Sequence, residues 1–239
     1  MLSSQHHSGI ASKPSRVGAF RFSMEYFLLS LILLIAATPL LEEWVFGVLV
    51  ESLLLTLVLL SAVFAVASNR RSLIIASVLV IPPLVMRWIR FFSPESLWPE
   101  SVFLPAVIFM VYVIWHLLRF ILRAPCVDKE VLCAGIATYL TLGLMWAFIY
   151  ILLSNVDPGS FRFTSGPMAQ VSMRGFTGIY FSLVTLTTAG YGDVIPVSSL
   201  ARMLAAMEAV TGVLYVAVLI SRLVALHASE SMARRSGER

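Results

Sequence analysis

The stretch Phe176–Asp193, FTGIYFSLVTLTTAGYGD, begins as an apolar run and ends in a polar segment broken by two glycines. The apolar part, Phe176–Thr187, has about 12 residues, whereas a helix that crosses a bilayer needs roughly 20. Long hydrophobic runs lie on either side of it. A short apolar helix between two spans fits a re-entrant segment, which enters the membrane and turns back. Irregular backbone at membrane depth is tolerated only where protein buries it or water bathes it. The segment Thr187–Asp193, TTAGYGD, is therefore expected to line an aqueous path.

The rest of the composition agrees with a membrane setting. Of 239 residues, 59% are hydrophobic and 13% are charged. Soluble domains are about 45–50% apolar and about 25% charged. The two cysteines, Cys126 and Cys133, have no CxxC spacing and no Cys/His cluster around them, so neither zinc nor a disulfide framework is expected. No metal-ligand cluster, nucleophile elbow or phosphate loop is present, which argues against an enzyme and against a bound cofactor.

Six hydrophobic runs are long enough to span, near residues 24–41, 45–67, 72–92, 101–123, 131–153 and 200–226. With the N-terminus inside, 12 of the 17 basic residues fall on cytoplasmic segments, among them Arg70, Arg71, Arg119, Arg123 and Arg222. Short cytoplasmic loops carry such an excess. Both termini are thus expected to be cytoplasmic, in a multi-pass protein of the cell membrane. The net charge of +4 reads as a topology signal, and nucleic acid is not an expected partner. Trp44, Trp88 and Trp98 fall near outer ends, where amphipathic rings favour the headgroup layer. Pro82-Pro83 is expected to kink the third span. The apolar stretch that follows the polar first 23 residues is too long for a cleaved signal, and reads as a retained helix.

Thr188-Ala189-Gly190-Tyr191-Gly192 resembles the TVGYG-type selectivity filter of potassium channels, with Ala189 in place of the usual valine. Together with LARMLAAMEAVTGVLYVAVLISRLV behind it, the run is similar to the pore helix, filter and inner helix of the bacterial potassium channel family. The resemblance covers about residues 131–226. It implies an all-α integral membrane protein: six transmembrane helices plus a re-entrant pore helix and filter loop, in a homotetrameric pore. The parts would be a cytoplasmic tail 1–23, a four-helix region 24–123, a pore domain 131–226 and a short cytoplasmic tail 227–239. Within the pore domain the pore helix would cover 176–187, the filter 188–193 and the inner helix 200–226.

The filter chemistry needs these residue types. A potassium ion enters where carbonyls replace its hydration shell, and leaves because they carry no fixed charge. Successive carbonyls face one axis only if alternate residues take unusual dihedrals, which Gly190 and Gly192 adopt at little steric cost. The resemblance implies K+ sites at the carbonyls of Thr188, Ala189, Gly190 and Tyr191, with Gly192 closing the row. Tyr191 would point away from the axis onto the pore helix, with Thr187 and Asp193 as support. Ala189 leaves its carbonyl unchanged and loosens packing behind the filter.

Glu208 is an acid inside a span, where such groups need a partner. It is expected to brace the filter from behind, through Ser182, Thr185 or a backbone amide, so that Glu208→Gln should alter conductance or stability. Gly212, near the middle of the last span, is either a gating hinge, as the family uses such a glycine, or a close packing point. Thr211, Tyr215, Val216, Leu219 and Ile220 are candidates for the cavity wall.

A voltage sensor carries arginine at every third position of a helix. The fourth run has Arg119 and Arg123 only at its inner end, and Arg87 and Arg90 end the third, where Glu51 could pair with one of them. Voltage dependence is expected to be weak or absent. The expected function is passive, potassium-selective conduction by a homotetramer in contact with membrane lipids. The alternatives are a non-selective cation channel and a non-conducting or modulatory channel-like subunit.

Overall fold

The computed structural model describes residues 17–41, 44–67, 69–93, 99–164 and 173–237. Glu42, Glu43, Trp98 and residues 1–16 and 165–172 lie outside them. Seven helices and one two-stranded ribbon make up the described chain: α1 Val17–Leu41, α2 Gly47–Val66, α3 Arg70–Phe92, α4 Pro99–Arg123, α5 Lys129–Val156, β1 Phe161–Phe163, α6 Gly175–Leu186, β2 Val194–Pro196 and α7 Ser199–Gly237. Six are long and apolar enough to cross a membrane. The exception is α6, whose 12 residues rise about 18 Å against a hydrocarbon core of about 30 Å.

Each span ends where its sequence changes character. Asp128 caps α5, its carboxylate accepting from the Val131 amide at 2.9 Å, which satisfies one of the free donors of a helix start. At the other end Asp157 orders the turn, accepting from the Gly159 amide and the Ser160 hydroxyl. Helix α3 continues past Pro82 and Pro83 to Phe92. Helix α7 runs past residue 226 to Gly237, so residues expected as a tail extend the inner helix.

Helix α5 is the hub: it packs against α1, α4, α6 and α7, and 61% of its apolar 18-residue stretch is buried. In the corresponding 18-residue stretch of α7 only 17% is buried by its own chain. Small residues let the helices approach. A Cβ on Gly143 would come within 2.8 Å of the Leu183 side chain, and one on Gly178 within 2.8 Å of the Ile151 side chain, so α6 nests closely against α5 at both glycines.

Two arginines at the C-terminal end of α3 have partners on neighbouring helices. Arg87 of α3 lies 3.5 Å from Glu51 of α2 and donates to Ser52 at 3.1 Å. Arg90 lies over the Phe103 ring, 5.9 Å from its centre. At the C-terminal end of α4, Arg119 and Arg123 are exposed, while His116 contacts the Ser72 hydroxyl at 3.0 Å.

Candidate functional site

The irregular segment begins where α6 ends. Thr187 closes the helix, its amide donating to Leu183 O and its hydroxyl to the same carbonyl. The amides of the next residues also turn back on the helix: Thr188 donates to Thr185 O at 2.9 Å, while Ala189 and Gly190 both donate to Val184 O, at 2.9 and 3.3 Å. These bonds take up carbonyls that a helix end leaves unpaired. They also fix the direction of the outgoing segment, because its first three amides face α6.

The dihedrals then alternate. Thr188, Gly190 and Gly192 have φ of +59°, +54° and +80°, while Ala189 and Tyr191 between them do not enter the positive region. Gly190 and Gly192 have open space where a Cβ would stand. Conformation, not crowding, therefore makes glycine necessary there. For Thr188 the same conformation carries a cost, since β-branched residues rarely adopt it. Among the described residues, no donor reaches the carbonyls of Thr188, Ala189, Gly190 or Tyr191. Four consecutive carbonyls thus stand unused on an exposed strand, just beyond the partial negative charge of the α6 C-terminus.

The outer end of the segment is clamped. Strand β2 pairs with β1 antiparallel, Phe161 opposite Pro196 and Phe163 opposite Val194. Thr164 donates its amide to Asp193 O at 2.8 Å, and its hydroxyl contacts the carbonyls of Gly192 and Asp193 at 3.1 Å. Asp193 also reaches back to α6: Tyr180 donates its hydroxyl to Oδ2 at 2.7 Å. The Tyr180 and Tyr191 rings stack at 6.4 Å, so Tyr191 lies against α6 while 74% of it remains uncovered.

Behind α6 lies a buried polar cluster. Glu208 of α7, Ser182 of α6 and Tyr150 of α5 are all 0% exposed. Tyr150 donates to Glu208 Oε2 at 2.5 Å, and the Ser182 hydroxyl lies 2.6 Å from both Glu208 Oε1 and Gly143 O. Of the partners that sequence suggested for Glu208, Ser182 is the one in contact. Tyr150 was missed, since nothing local marks a residue 58 positions away.

Gly212 faces the end of α6. A Cβ there would stand 2.1 Å from Leu186 O, a carbonyl that also accepts from Tyr139 at 3.3 Å. This contact makes Gly212 a close packing point inside a continuous α7. Tyr215 turns toward α5, donating to Gly135 O at 2.6 Å, and Leu219 packs beside the same glycine, whereas Val216 and Ile220 stay exposed. A cavity of about 410 Å³ lies elsewhere, among the outer ends of α1–α5 and the start of α6. It does not include residues 188–193.

Residues 138–228 match the family model described as "Ion channel". The chain is 53% identical to the calcium-gated potassium channel TvoK of Thermoplasma volcanium over 38 residues, which are 16% of this chain and 11% of the relative. It is 32% identical to two-pore potassium channel 4 of Arabidopsis thaliana over 88 residues, 36% of this chain and 30% of the relative. With two-pore potassium channel 1 of the same plant it shares 36% over 87 residues, 36% of this chain and 20% of the relative. The chain thus spans less than a third of the length of each of these relatives. No solved structure gives a significant match. The described residues form an all-α arrangement with six helices long and apolar enough to cross a membrane, and the stretch 138–228 is similar to ion-channel proteins, potassium channels among them.

Proposed function

We propose that the protein is a potassium-selective channel subunit that conducts K+ passively through the carbonyls of Thr188, Ala189, Gly190 and Tyr191. The observation that carries this is the filter backbone: φ is positive at residues 188, 190 and 192, amides are directed to α6, and four carbonyls have no donor among the described residues. Such a row can replace a hydration shell without fixed charge.

One chain supplies one face of this site. Residues 187–192 are exposed, and α7 presents an uncovered apolar surface that includes Met203, Met207, Val210 and Leu214. Four copies around an axis would bury the open faces of Tyr191 and α7 and close a ring of carbonyls, so the active form is a homotetramer. The distribution of basic residues supports cytoplasmic termini. The fixed Arg87 and Arg90, together with Arg119 and Arg123 at the inner end of α4, support weak or absent voltage dependence.

Purified protein in liposomes tests this reading through K+ and Na+ flux. K+ flux blocked by Ba2+, with little Na+ flux, is expected. Equal Na+ flux would instead make the protein a non-selective cation channel.

A further inference from the structure

Three short oxygen–oxygen contacts form a chain through Ser182 and Glu208, and each needs a hydrogen between its oxygens. Ser182 Oγ lies 2.6 Å from Gly143 O and 2.6 Å from Glu208 Oε1, and the Tyr150 hydroxyl lies 2.5 Å from Glu208 Oε2. A serine hydroxyl carries one hydrogen, a phenol one, and a backbone carbonyl none. With Glu208 ionised, three contacts would share two hydrogens, leaving one pair of bare oxygens pressed together in a fully buried site.

We propose that Glu208 is held as a neutral carboxylic acid. Its Oε1–H donates to Ser182, which donates onward to Gly143 O, while Oε2 accepts from Tyr150. This inference deepens the channel reading, in which α6 supports the filter, but the hydrogen count does not depend on what passes through the pore. The surroundings agree with it. Glu208 is faced by Tyr150 and Tyr139 of α5 and by Ser182 of α6, and no basic side chain pairs with it among the described residues. A carboxylate buried without a cation is strongly disfavoured. The neutral acid ties α7, α6 and α5 together by directional bonds and adds no charge behind the ion sites, so their field stays that of the carbonyls.

The count also changes what Glu208→Gln means. An amide offers one N–H donor toward Ser182 and one carbonyl acceptor toward Tyr150, as the neutral acid does. Sequence alone made this substitution disruptive; the geometry makes it the conservative one.

Infrared spectra of the purified protein in liposomes near neutral pH provide the test. Wild type minus Glu208→Gln should contain the carbonyl stretch of a protonated carboxylic acid, and that band should shift in Tyr150→Phe. A difference spectrum holding only carboxylate stretches would overturn the proposal. In the flux assay, Glu208→Gln should stay within about threefold of wild type, whereas Glu208→Ala should lose about tenfold or more. Equal losses in both variants, each folded and monodisperse, would also overturn it. An acid band in a protein that passes no K+ would leave the protonation standing and reject the channel reading.

Discussion

Thr188 shows how much local strain the proposed filter holds. A β-branched residue at φ +59° sits where left-handed backbone costs about 1–2 kcal/mol. It is held there by the amide bonds to α6 on one side and the Thr164–Asp193 clamp on the other. Gly190 and Gly192 avoid that cost, so replacing both by alanine adds about 2–4 kcal/mol to the filter conformation. The double variant is expected to lose K+ selectivity while still assembling, as checked by liposome flux and by size in detergent. Tyr180→Phe removes the 2.7 Å bond to Asp193, worth about 1 kcal/mol. It should leave selectivity intact and speed the decay of current during sustained opening, which voltage-clamp recording would measure. An unchanged decay rate would remove Tyr180 from the filter's support.

Among the elements, the contact between α6 and α7 is the least forgiving. Gly212→Ala would push a methyl to within 2.1 Å of a backbone carbonyl, whereas Gly178→Ala would meet the Ile151 side chain at 2.8 Å. A backbone carbonyl cannot turn aside as a side chain can, so Gly212→Ala should reach the upper part of the overpacking range of about 1–3 kcal/mol and Gly178→Ala the lower. Thermal melts of the assembled protein would rank the two, and a reversed order would contradict the packing described here. At this scale the spans and the half-helix were legible, because length and apolarity alone define them. The ribbon of β1 and β2 was not legible. Each strand has three residues, β2 ends in proline, and their pairing joins segments on opposite sides of the pore helix and filter, so no local period announces it. The contacts of Glu208 were half legible: an acid in a span demands a partner, and Ser182 lies one helix away, but Tyr150 comes from α5. Positive φ at Thr188 could not be read, since residue preference argues against it.

At the scale of the whole molecule, four spans precede α5–α7, and the two arginines at the C-terminal end of α3 are engaged by neighbouring side chains. Arg87 is paired with Glu51 and bonded to Ser52, and Arg90 rests on Phe103. Moving a charge through the field gains about 2.3 kcal/mol per 100 mV, which requires a charge that is free to move. The open probability is therefore expected to change little with voltage in planar bilayers, and a steep curve carrying several charges per subunit would contradict that. On the proposed reading, further copies of the chain close the exposed face of residues 187–192 and the uncovered side of α7, and selectivity belongs to that assembly. It is tested most directly by the reversal potential of purified protein in a planar bilayer with K+ on one side and Na+ on the other. A reversal potential far toward that of a K+-selective membrane is predicted, and one near zero would contradict a filter built from the carbonyls of Thr188 to Tyr191.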